Sequence, residues 1–249
     1  MHVRFHAPDA EREGDVVSLP EDEAQHLTRV LRLKAGASVR VFNGRGSEFD
    51  GVVERAGKDA VRVRVGHARD AVSEARVAVT LAQAVLKGDK MDAIIRDAVM
   101  MGVAAVQPVV TMRSEVTLLS LRRGHRRERW ERIAVSSAKQ CGRAVVPAIL
   151  EPQAFETVTA SLAAMTLPGP ALMFVEPAVS ADAVSLSDLD GTPPRETTVL
   201  IGPEGGWTAE EVEAGIAVSR LVRIGVRTLR AEVMPLVALA ALLTRWREL

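Results

Sequence analysis

A single cysteine, Cys141, is present among the 249 residues of the sequence. One cysteine excludes a disulfide within the chain, and it favours a reducing compartment because secreted domains normally pair their cysteines. Residues 1–14 alternate charged with small side chains and contain no apolar core long enough for a signal peptide. The longest apolar run, Leu236 to Leu243, is far shorter than the roughly 20 residues that a membrane span requires. We therefore expect a cytoplasmic protein with no membrane partner.

The sequence also lacks the usual signatures of metal and nucleophilic chemistry. Its five histidines and one cysteine are scattered without ligand spacing, so no metal site is expected. No G-x-S-x-G elbow occurs, and Cys141 has no histidine near it in sequence, so we interpret it as a packed helix residue. The G-x-G-x-x-G pattern of dinucleotide-binding folds and the G-x-x-x-x-G-K-S/T pattern of P-loops are both absent, so these two cofactor classes lack their motifs.

The formal net charge is zero, which at first argues against a nucleic-acid partner. The charges are unevenly distributed, however. Between Arg113 and Arg143 nine basic residues face three acidic ones, whereas between Glu151 and Gly215 one basic residue faces eleven acidic ones. A neutral protein with such a basic band can hold a phosphate backbone, because the contact depends on local cation density. The alternative is a solvated helix face, which is the commoner reason for a charge run.

Residues 1–72 are predicted to form a small β-rich domain. Short apolar runs are separated by turn residues, and they lie at 39–42, 49–53 and 61–65. Asn43-Gly44 predicts a hairpin turn after the first run, and Lys58-Asp59 can close the next. A small barrel of such strands often binds oligonucleotides, although many barrels serve only as spacers.

A short helix is predicted before these strands, over Glu23 to Leu33, and it would be laid on the barrel. Its buried face would carry Leu27, Val30 and Leu31. Its outward face would carry Arg29, Arg32 and Lys34.

Gly66 to Ala75 is polar and small, and we place the boundary between two domains, 1–72 and 73–249, in this segment. Beyond it strands alternate with helices, which predicts an α/β domain with a mainly parallel sheet. Pro108 would move its strand towards an edge of that sheet. The predicted strands are Val77–Leu86, Val103–Val110, Ala171–Val175, Val199–Ile201 and Leu221–Ile224.

The predicted helices of the second domain are Asp89–Met101, Arg126–Gln140 and a final helix that begins at Pro235. The first would bury one stripe, formed by Met91, Ile94, Ile95, Ala98 and Val99. The final helix would bury Leu236, Leu239, Leu242, Leu243 and Trp246.

A strand-like run ends abruptly at a loop with almost no side-chain bulk, Gly202 to Gly206. Such a backbone can come close to a flat or charged small molecule. Thr208 and Glu211 have the spacing of a capping box, so a helix should begin there and bury Val212 and Ile216. A strand, a glycine loop and a helix start in this order usually lie at the carboxyl end of a parallel sheet, where ligands collect. The alternative is a tight turn that binds no ligand.

Several motifs occur in a fixed order: Lys87-Gly88-Asp89-Lys90-Met91, Lys139-Gln140-Cys141-Gly142-Arg143, Ile201-Gly202-Pro203-Glu204-Gly205-Gly206 and Leu229-Arg230-Ala231-Glu232. At these separations the chain resembles the small-subunit ribosomal RNA methyltransferase E (RsmE) family of the SPOUT superfamily. The N-terminal motifs that also match are Arg29-Val30-Leu31-Arg32 and Val41-Phe42-Asn43-Gly44. The resemblance covers nearly the whole chain, and the motifs are specific as a set although each alone would be weak.

This resemblance implies a PUA-like RNA-binding β-barrel over residues 1–72 and, over 73–249, a SPOUT-type parallel sheet with a deep C-terminal trefoil knot. It implies that the knot loops hold S-adenosylmethionine and that a homodimer completes the site. The implied reaction is methylation of ring nitrogen 3 of a uridine near the decoding centre of 16S ribosomal RNA in the small ribosomal subunit. The implied cofactor-binding residues are Val175, Ile201, Gly202, Pro203, Glu204, Gly205, Gly206, Ile224, Gly225, Arg227, Leu229 and Met234.

The chemistry of the residues fits this reaction. A wall of glycine backbone suits adenine, which needs close donors and acceptors. Arg230 would stabilise the anion that forms when uridine nitrogen 3 loses its proton, and Glu232 is a candidate base or orienting group. The alternatives are a mutual ion pair that fixes the turn and, for Glu204, a charge that favours a helix N-terminus. RNA phosphates would be held by Arg29, Arg32, Lys34, Arg122, Arg123, Arg126 and Arg143.

The sequence departs from the family pattern in the segment just before the final predicted helix. Val233 and Met234 stand where the family usually has Thr-Ala, and Val226 stands where proline is common. Val233 lacks a hydroxyl that could cap the last helix, and Met234 is larger than alanine, so weaker cofactor binding is expected at this edge. Two alternatives therefore stay open: an RNA-binding or ribosome-assembly protein that transfers no methyl group, and a ribose 2′-O-methyltransferase of another RNA.

Overall fold

The computed structural model describes residues 3–57, 60–180 and 182–249. The chain divides into two compact units, Met1–Glu74 with Val135–Val146, and Ala75–Ala134 with Pro147–Leu249. The predicted division at 72 and 73 differs from these units in the segment 135–146, which belongs to the first unit. Among the described helices, none combines the length and the apolar character that a membrane-spanning segment needs.

The first unit contains a five-stranded sheet in the order β1-β3-β4-β5-β2. β1 pairs in parallel with β3, and the other pairings are antiparallel. The predicted hairpin after the first apolar run is confirmed, because Asn43 Oδ1 accepts hydrogen bonds from the backbone amides of Arg45 (2.8 Å) and Ser47 (3.1 Å). The predicted Lys58-Asp59 turn lies outside the described residues. The strands are β1 Arg4–His6, β2 Val16–Ser18, β3 Ser38–Phe42, β4 Glu48–Ala56 and β5 Val61–Arg69.

The helix predicted over Glu23–Leu33 is shorter and less regular in the structure. It consists of α1 (Glu21–Gln25) and a π-helical turn, His26–Val30. Leu27 is buried as predicted, but Val30 is 69% exposed, since the wider π turn rotates later side chains away from the core. The outward positions of three cations are confirmed for Arg29, Arg32 and Lys34.

The second unit is an α/β fold around an eight-stranded sheet in which all pairings are parallel. The strand order is β11-β13-β10-β12-β6-β7-β8, and β9 also pairs with β7. The predicted parallel α/β arrangement is therefore confirmed. The strands are β6 Ala78–Ala84, β7 Ala105–Val110, β8 Ala148–Ile149, β9 Gln153–Ala154, β10 Ala171–Phe174, β11 Val184–Ser185, β12 Glu196–Ile201 and β13 Arg220–Arg223.

The helices that follow α1 are α2 Lys90–Met100, α3 Leu118–Arg123, α4 Arg126–Cys141, α5 Phe155–Ala163, α6 Ala209–Ile216 and α7 Met234–Arg245. The capping box at Thr208 and Glu211 is present, and it starts α6 as predicted. The predicted α2 stripe is confirmed, because all five of its members are buried. Part of the core of this unit is formed by Phe155, Met173, Leu200, Trp207 and Val212.

Three details of the predicted packing are wrong. Pro108 does not lie on an edge strand, because β7 has partners on both sides. β6 pairs with it along one side, and the short strands β8 and β9 pair with it along the other. Pro108 lies between the β7 residues that pair with β8 and those that pair with β9. The missing amide of proline is therefore accommodated where neither short strand continues. Ile216 and Leu236, both predicted to be buried, are 54% and 40% exposed.

Candidate functional site

A cavity of about 340 Å³ lies in the second unit, where the loops that follow neighbouring parallel strands meet. Its walls come from the residues after β10, after β12 and after β13, together with Lys90 at the start of α2. These strands are adjacent in the order β13-β10-β12-β6, so their carboxyl ends share one edge of the sheet. That edge is where ligands of α/β folds bind, and the cavity volume falls in the range of small-molecule pockets.

Most of the predicted site residues line this one cavity. Gly205 and Gly225 belong to the same loops but are not among the residues that line it. The predicted residues that do line it are Val175, Ile201, Gly202, Pro203, Glu204, Gly206, Ile224, Arg227, Leu229, Arg230, Glu232 and Met234. Sequence reasoning missed Lys90, Phe174, Glu176, Pro177, Trp207, Thr228 and Ala231.

Gly202 allows the indole ring of Trp207 to form a wall of the cavity. The Trp207 Nε1 donates a hydrogen bond to the Phe174 carbonyl oxygen (2.9 Å), and its ring also packs on Phe155 with 5.1 Å between centroids. A Cβ at position 202 would lie 3.0 Å from Cε2 and Nε1 of this ring. Because the ring is buried and held by that hydrogen bond, a side chain at position 202 would press on the wall and require it to shift.

Lys90 connects the two predicted cofactor loops. Its Nζ lies 3.2 Å from Glu204 Oε1 and 3.4 Å from Glu232 Oε2. Within the described residues Glu232 therefore pairs with Lys90, and the ion pair with Arg230 that the sequence left open is not formed. The hydrogen bond to Glu204 raises the pKa of Lys90, so this ammonium stays charged at neutral pH.

The pKa of Glu232 is lower than usual. The largest cause is a hydrogen bond from its own backbone amide, and the hydrogen bond from Lys90 acts in the same direction. A carboxylate with a lowered pKa stays ionised at neutral pH and accepts a proton poorly. The ion pair with Lys90 and the lowered pKa of Glu232 both suit an orienting or electrostatic role for this carboxylate.

The turn that departs from the family pattern is closed by backbone hydrogen bonds. The amides of Val233 (2.9 Å) and Met234 (3.0 Å) donate to the Arg230 carbonyl oxygen, and α7 begins at Met234 without a side-chain cap. Met234 lines the cavity and leaves the space beside it open. The larger side chain therefore narrows one edge of the cavity without filling it.

The predicted RNA-binding cations differ in their surroundings. Within the described residues, Arg122, Arg123 and Arg126 form no ion pair, and the first two are exposed. Arg143 was predicted to contact RNA, but it is 6% exposed, and its Nε donates to Glu74 Oε1 at 3.1 Å. A buried guanidinium paired with a carboxylate cannot reach a phosphate, so Arg143 has a structural role.

Strand adjacency, which only the structure shows, brings Lys90 to the site. The motif that contains it follows β6, and β6 pairs in parallel with β12, the strand before the glycine loop. Loops after adjacent parallel strands meet at one edge of the sheet. That adjacency is not visible in the sequence, because more than a hundred residues separate Lys90 from Glu204 and Glu232.

In the described residues, no three His, Cys, Asp or Glu side chains come together as a metal site requires.

Two family models match this chain. One, described as an RNA methyltransferase domain, matches residues 73–243, and the other, described as an RNA methyltransferase PUA domain, matches residues 19–66. The chain is 32% identical to ribosomal RNA small subunit methyltransferase E of Synechocystis sp. over 228 residues, 90% of this chain and 71% of the relative. It is 28% identical to the protein of the same name from Bacillus subtilis over 237 residues, 92% of this chain and 90% of the relative.

Several solved structures, including the following two, are similar to this chain over nearly their full length. Ribosomal RNA small subunit methyltransferase E from Neisseria gonorrhoeae, bound to S-adenosyl methionine, is 29% identical with a TM-score of 0.86, covering 99% of this chain and 98% of that one. The Legionella pneumophila protein Lpg2936, in complex with the bound cofactor SAM, is 26% identical with a TM-score of 0.88, covering 98% of both chains.

Proposed function

Because the chain belongs to the ribosomal RNA small subunit methyltransferase E family, we propose that it methylates ring nitrogen 3 of a uridine in 16S ribosomal RNA, near the decoding centre. The protein is an S-adenosylmethionine-dependent rRNA methyltransferase. What we propose beyond this activity is the target base, a uridine, and the methylated atom, ring nitrogen 3. The observation that carries it is the single cavity that gathers Arg230, Glu232 and the glycine loop.

The cavity fits S-adenosylmethionine, which supplies an electrophilic methyl group when bound. The wall of the cavity combines glycine backbone at Gly202 and Gly206 with the apolar side chains of Ile201 and Leu229. This combination suits a flat adenine ring. Both signs of charge are also present, as a zwitterionic amino-acid group requires. We propose that the loops after β10, β12 and β13 hold the cofactor through these groups.

In this proposal Arg230 acts on the target base. Uridine nitrogen 3 becomes a nucleophile only after its proton passes to solvent water, and the negative charge then spreads onto the neighbouring carbonyl oxygens. Arg230 lines the cavity and is exposed, so its guanidinium is available to stabilise that charge. Glu232, which is ion-paired with Lys90, would orient the target uracil ring or Arg230 and would not itself remove the proton.

The decisive test is nucleoside analysis of the RNA after reaction. Undermethylated small subunits are incubated with the protein and S-adenosylmethionine, and the digested RNA is separated by chromatography and mass spectrometry. The expected product is 3-methyluridine. A 2′-O-methyl nucleoside would replace this proposal with the ribose methyltransferase, and cofactor binding without any methylated product would indicate an RNA-binding protein.

Lys90→Met is expected to weaken S-adenosylmethionine binding roughly three- to tenfold, since the variant loses both ion pairs that join the two loops and leaves Glu204 and Glu232 without their shared cation. Titration calorimetry measures the affinity. Lys87→Met is the matched control, because its ammonium pairs with Glu115 (2.7 Å), and the substitution retains the backbone amide that donates to Glu204 Oε1 (3.4 Å). Equal affinities for the two variants would contradict a role for Lys90 in holding the loops.

We propose that Arg122, Arg123 and Arg126 contact RNA phosphates. They lie at the end of α3 and the start of α4. The start of α4 is fixed to α2, because Trp130 Nε1 donates to Asp92 Oδ1 at 3.1 Å. This cation cluster therefore has a set position relative to the helix that carries Lys90.

Replacing all three arginines of this cluster with alanine is expected to weaken RNA binding. The magnitude of the slope of log K against log salt should fall by about 2 to 3, because each phosphate contact contributes about 0.7–0.9 to it. Filter binding between 50 and 200 mM salt measures both quantities. The control is the double variant Arg195→Ala/Arg220→Ala. Both arginines are exposed and lie at the amino ends of β12 and β13, whereas the cavity lies at the carboxyl ends of these strands. An unchanged slope in the triple variant would place the RNA elsewhere.

We further propose that the first unit closes as a PUA-like barrel, that the C-terminal chain forms a trefoil knot, and that the enzyme acts in the cytoplasm as a homodimer. The dimer is supported by exposed apolar side chains between β13 and the first turn of α7, at Val226, Val233 and Leu236. Covering them with a second copy would remove this apolar surface from water. Sedimentation equilibrium tests the dimer, and a monomer at micromolar concentration would contradict it.

A further inference from the structure

Arg113 holds the cofactor loop from outside the cavity. Its Nη1 donates hydrogen bonds to the carbonyl oxygens of Gly205 (2.7 Å) and Trp207 (3.2 Å), on the two sides of Gly206. Arg113 does not line the cavity itself. Any effect on the cofactor must therefore act through the loop.

The aliphatic part of the same side chain covers the loop. A Cβ at position 205 would lie 3.2 Å from the Cβ and 3.3 Å from the Cδ of Arg113. Next to it, Gly206 has a φ of +67°, a conformation that favours glycine. The loop makes one bond of its own here, from the Gly206 amide to the Pro203 carbonyl oxygen (3.0 Å). The two bonds from Arg113 add to this bond and hold the loop backbone itself, whereas the contacts with Lys90 hold the loop through the Glu204 side chain.

Arg113 is itself held in place. It lies in a turn after β7 in which the Ser114 amide donates to the Thr111 carbonyl oxygen at 3.1 Å. The neighbouring Met112 amide donates to Glu211 Oε1 at 2.8 Å. Glu211 is buried and completes the capping box that starts α6 directly after the glycine loop. The guanidinium thus extends from a backbone that is tied to the far end of the loop it holds.

We propose that Arg113 is a positioning residue that keeps the Gly202–Gly206 loop in its cofactor-binding conformation. Charge-assisted hydrogen bonds to backbone carbonyls are stronger than neutral ones, and a loop with this much glycine loses more entropy on ordering than most. With Arg113 in place, the loop is ordered before the cofactor arrives. Without it, part of the binding free energy must be used to order the loop. This inference depends on the cofactor site of the proposed function and not on the target base.

The test compares Arg113→Met and Arg113→Lys with Arg195→Met, a control at an exposed arginine before β12 that forms no ion pair in the described residues. We expect Arg113→Met to weaken S-adenosylmethionine binding about tenfold in calorimetry and to raise KM for S-adenosylmethionine similarly. We expect kcat at saturating cofactor to change less than about twofold, since no reacting group is removed. Arg113→Lys should recover part of the affinity because it retains a charged donor, and the control should match the parent protein.

Unchanged affinity in Arg113→Met would overturn the proposal. A lowered kcat with unchanged KM for S-adenosylmethionine would also overturn it, since Arg113 would then act on the RNA or the reaction itself. The binding measurement needs no RNA, so it stands apart from the test of the target base. A parent protein that binds S-adenosylmethionine but yields no 3-methyluridine would contradict the proposed function and leave the assignment of Arg113 intact.

Discussion

Arg230→Ala is expected to lower kcat by roughly 10²- to 10³-fold, the loss that follows removal of one group that stabilises a developing anion. Arg230 is exposed and forms no ion pair within the described residues, so the fold should be retained. The affinity for S-adenosylmethionine should change less than about threefold, because the charge that Arg230 stabilises appears only in the transition state. Single-turnover methyl transfer to small subunits measures the rate, and calorimetry measures the affinity.

Two further variants make this expectation specific. Arg230→Lys retains a positive charge and should recover part of the rate, although an ammonium cannot reproduce the planar fork of a guanidinium. Arg227→Ala removes another arginine from the same turn and cavity, and it should affect cofactor binding more than kcat. If Arg227→Ala lost the rate and Arg230→Ala kept it, the catalytic assignment would be wrong.

Gly202→Ala is expected to weaken S-adenosylmethionine binding at least tenfold and to lower the free energy of unfolding by about 1–3 kcal/mol, the usual cost of overpacking a tight contact. The new methyl group would lie 3.0 Å from the buried ring of Trp207, a distance tighter than most Cβ contacts in proteins, so the ring would have to shift. Moving the ring would stretch its hydrogen bond to the Phe174 carbonyl oxygen and deform the cavity wall. Calorimetry and thermal unfolding measure the two effects.

Gly191→Ala is the matched control for this variant. A Cβ at position 191 would meet nothing within 4 Å, so the substitution should leave both the affinity and the unfolding temperature nearly unchanged. Parent-like affinity in Gly202→Ala would show that Trp207 can move freely, and the cavity wall would then need another explanation.

Local sequence signals determined much of the secondary structure. The α2 stripe, the capping box at Thr208 and the hairpin at Asn43 each depend on residues a few positions apart, and each is present in the structure. Where a local pattern met a tertiary constraint, the prediction failed. Val30 is exposed because a π turn interrupts its helix, and Arg143 is buried because Glu74 pairs with it.

The sequence by itself determined the glycine loop, the charged turn around Arg230 and the alternation of strands with helices, because these depend on composition and short spacing. Only the tertiary structure decided that β13, β10, β12, β6 and β7 lie side by side in this order. Their adjacency lets Lys90 join Glu204 to Glu232 and lets Arg113, after β7, hold the glycine loop. The physical reason is that strand order is set by pairing between segments far apart in the chain. No spacing within one segment can encode the partner that another segment will supply.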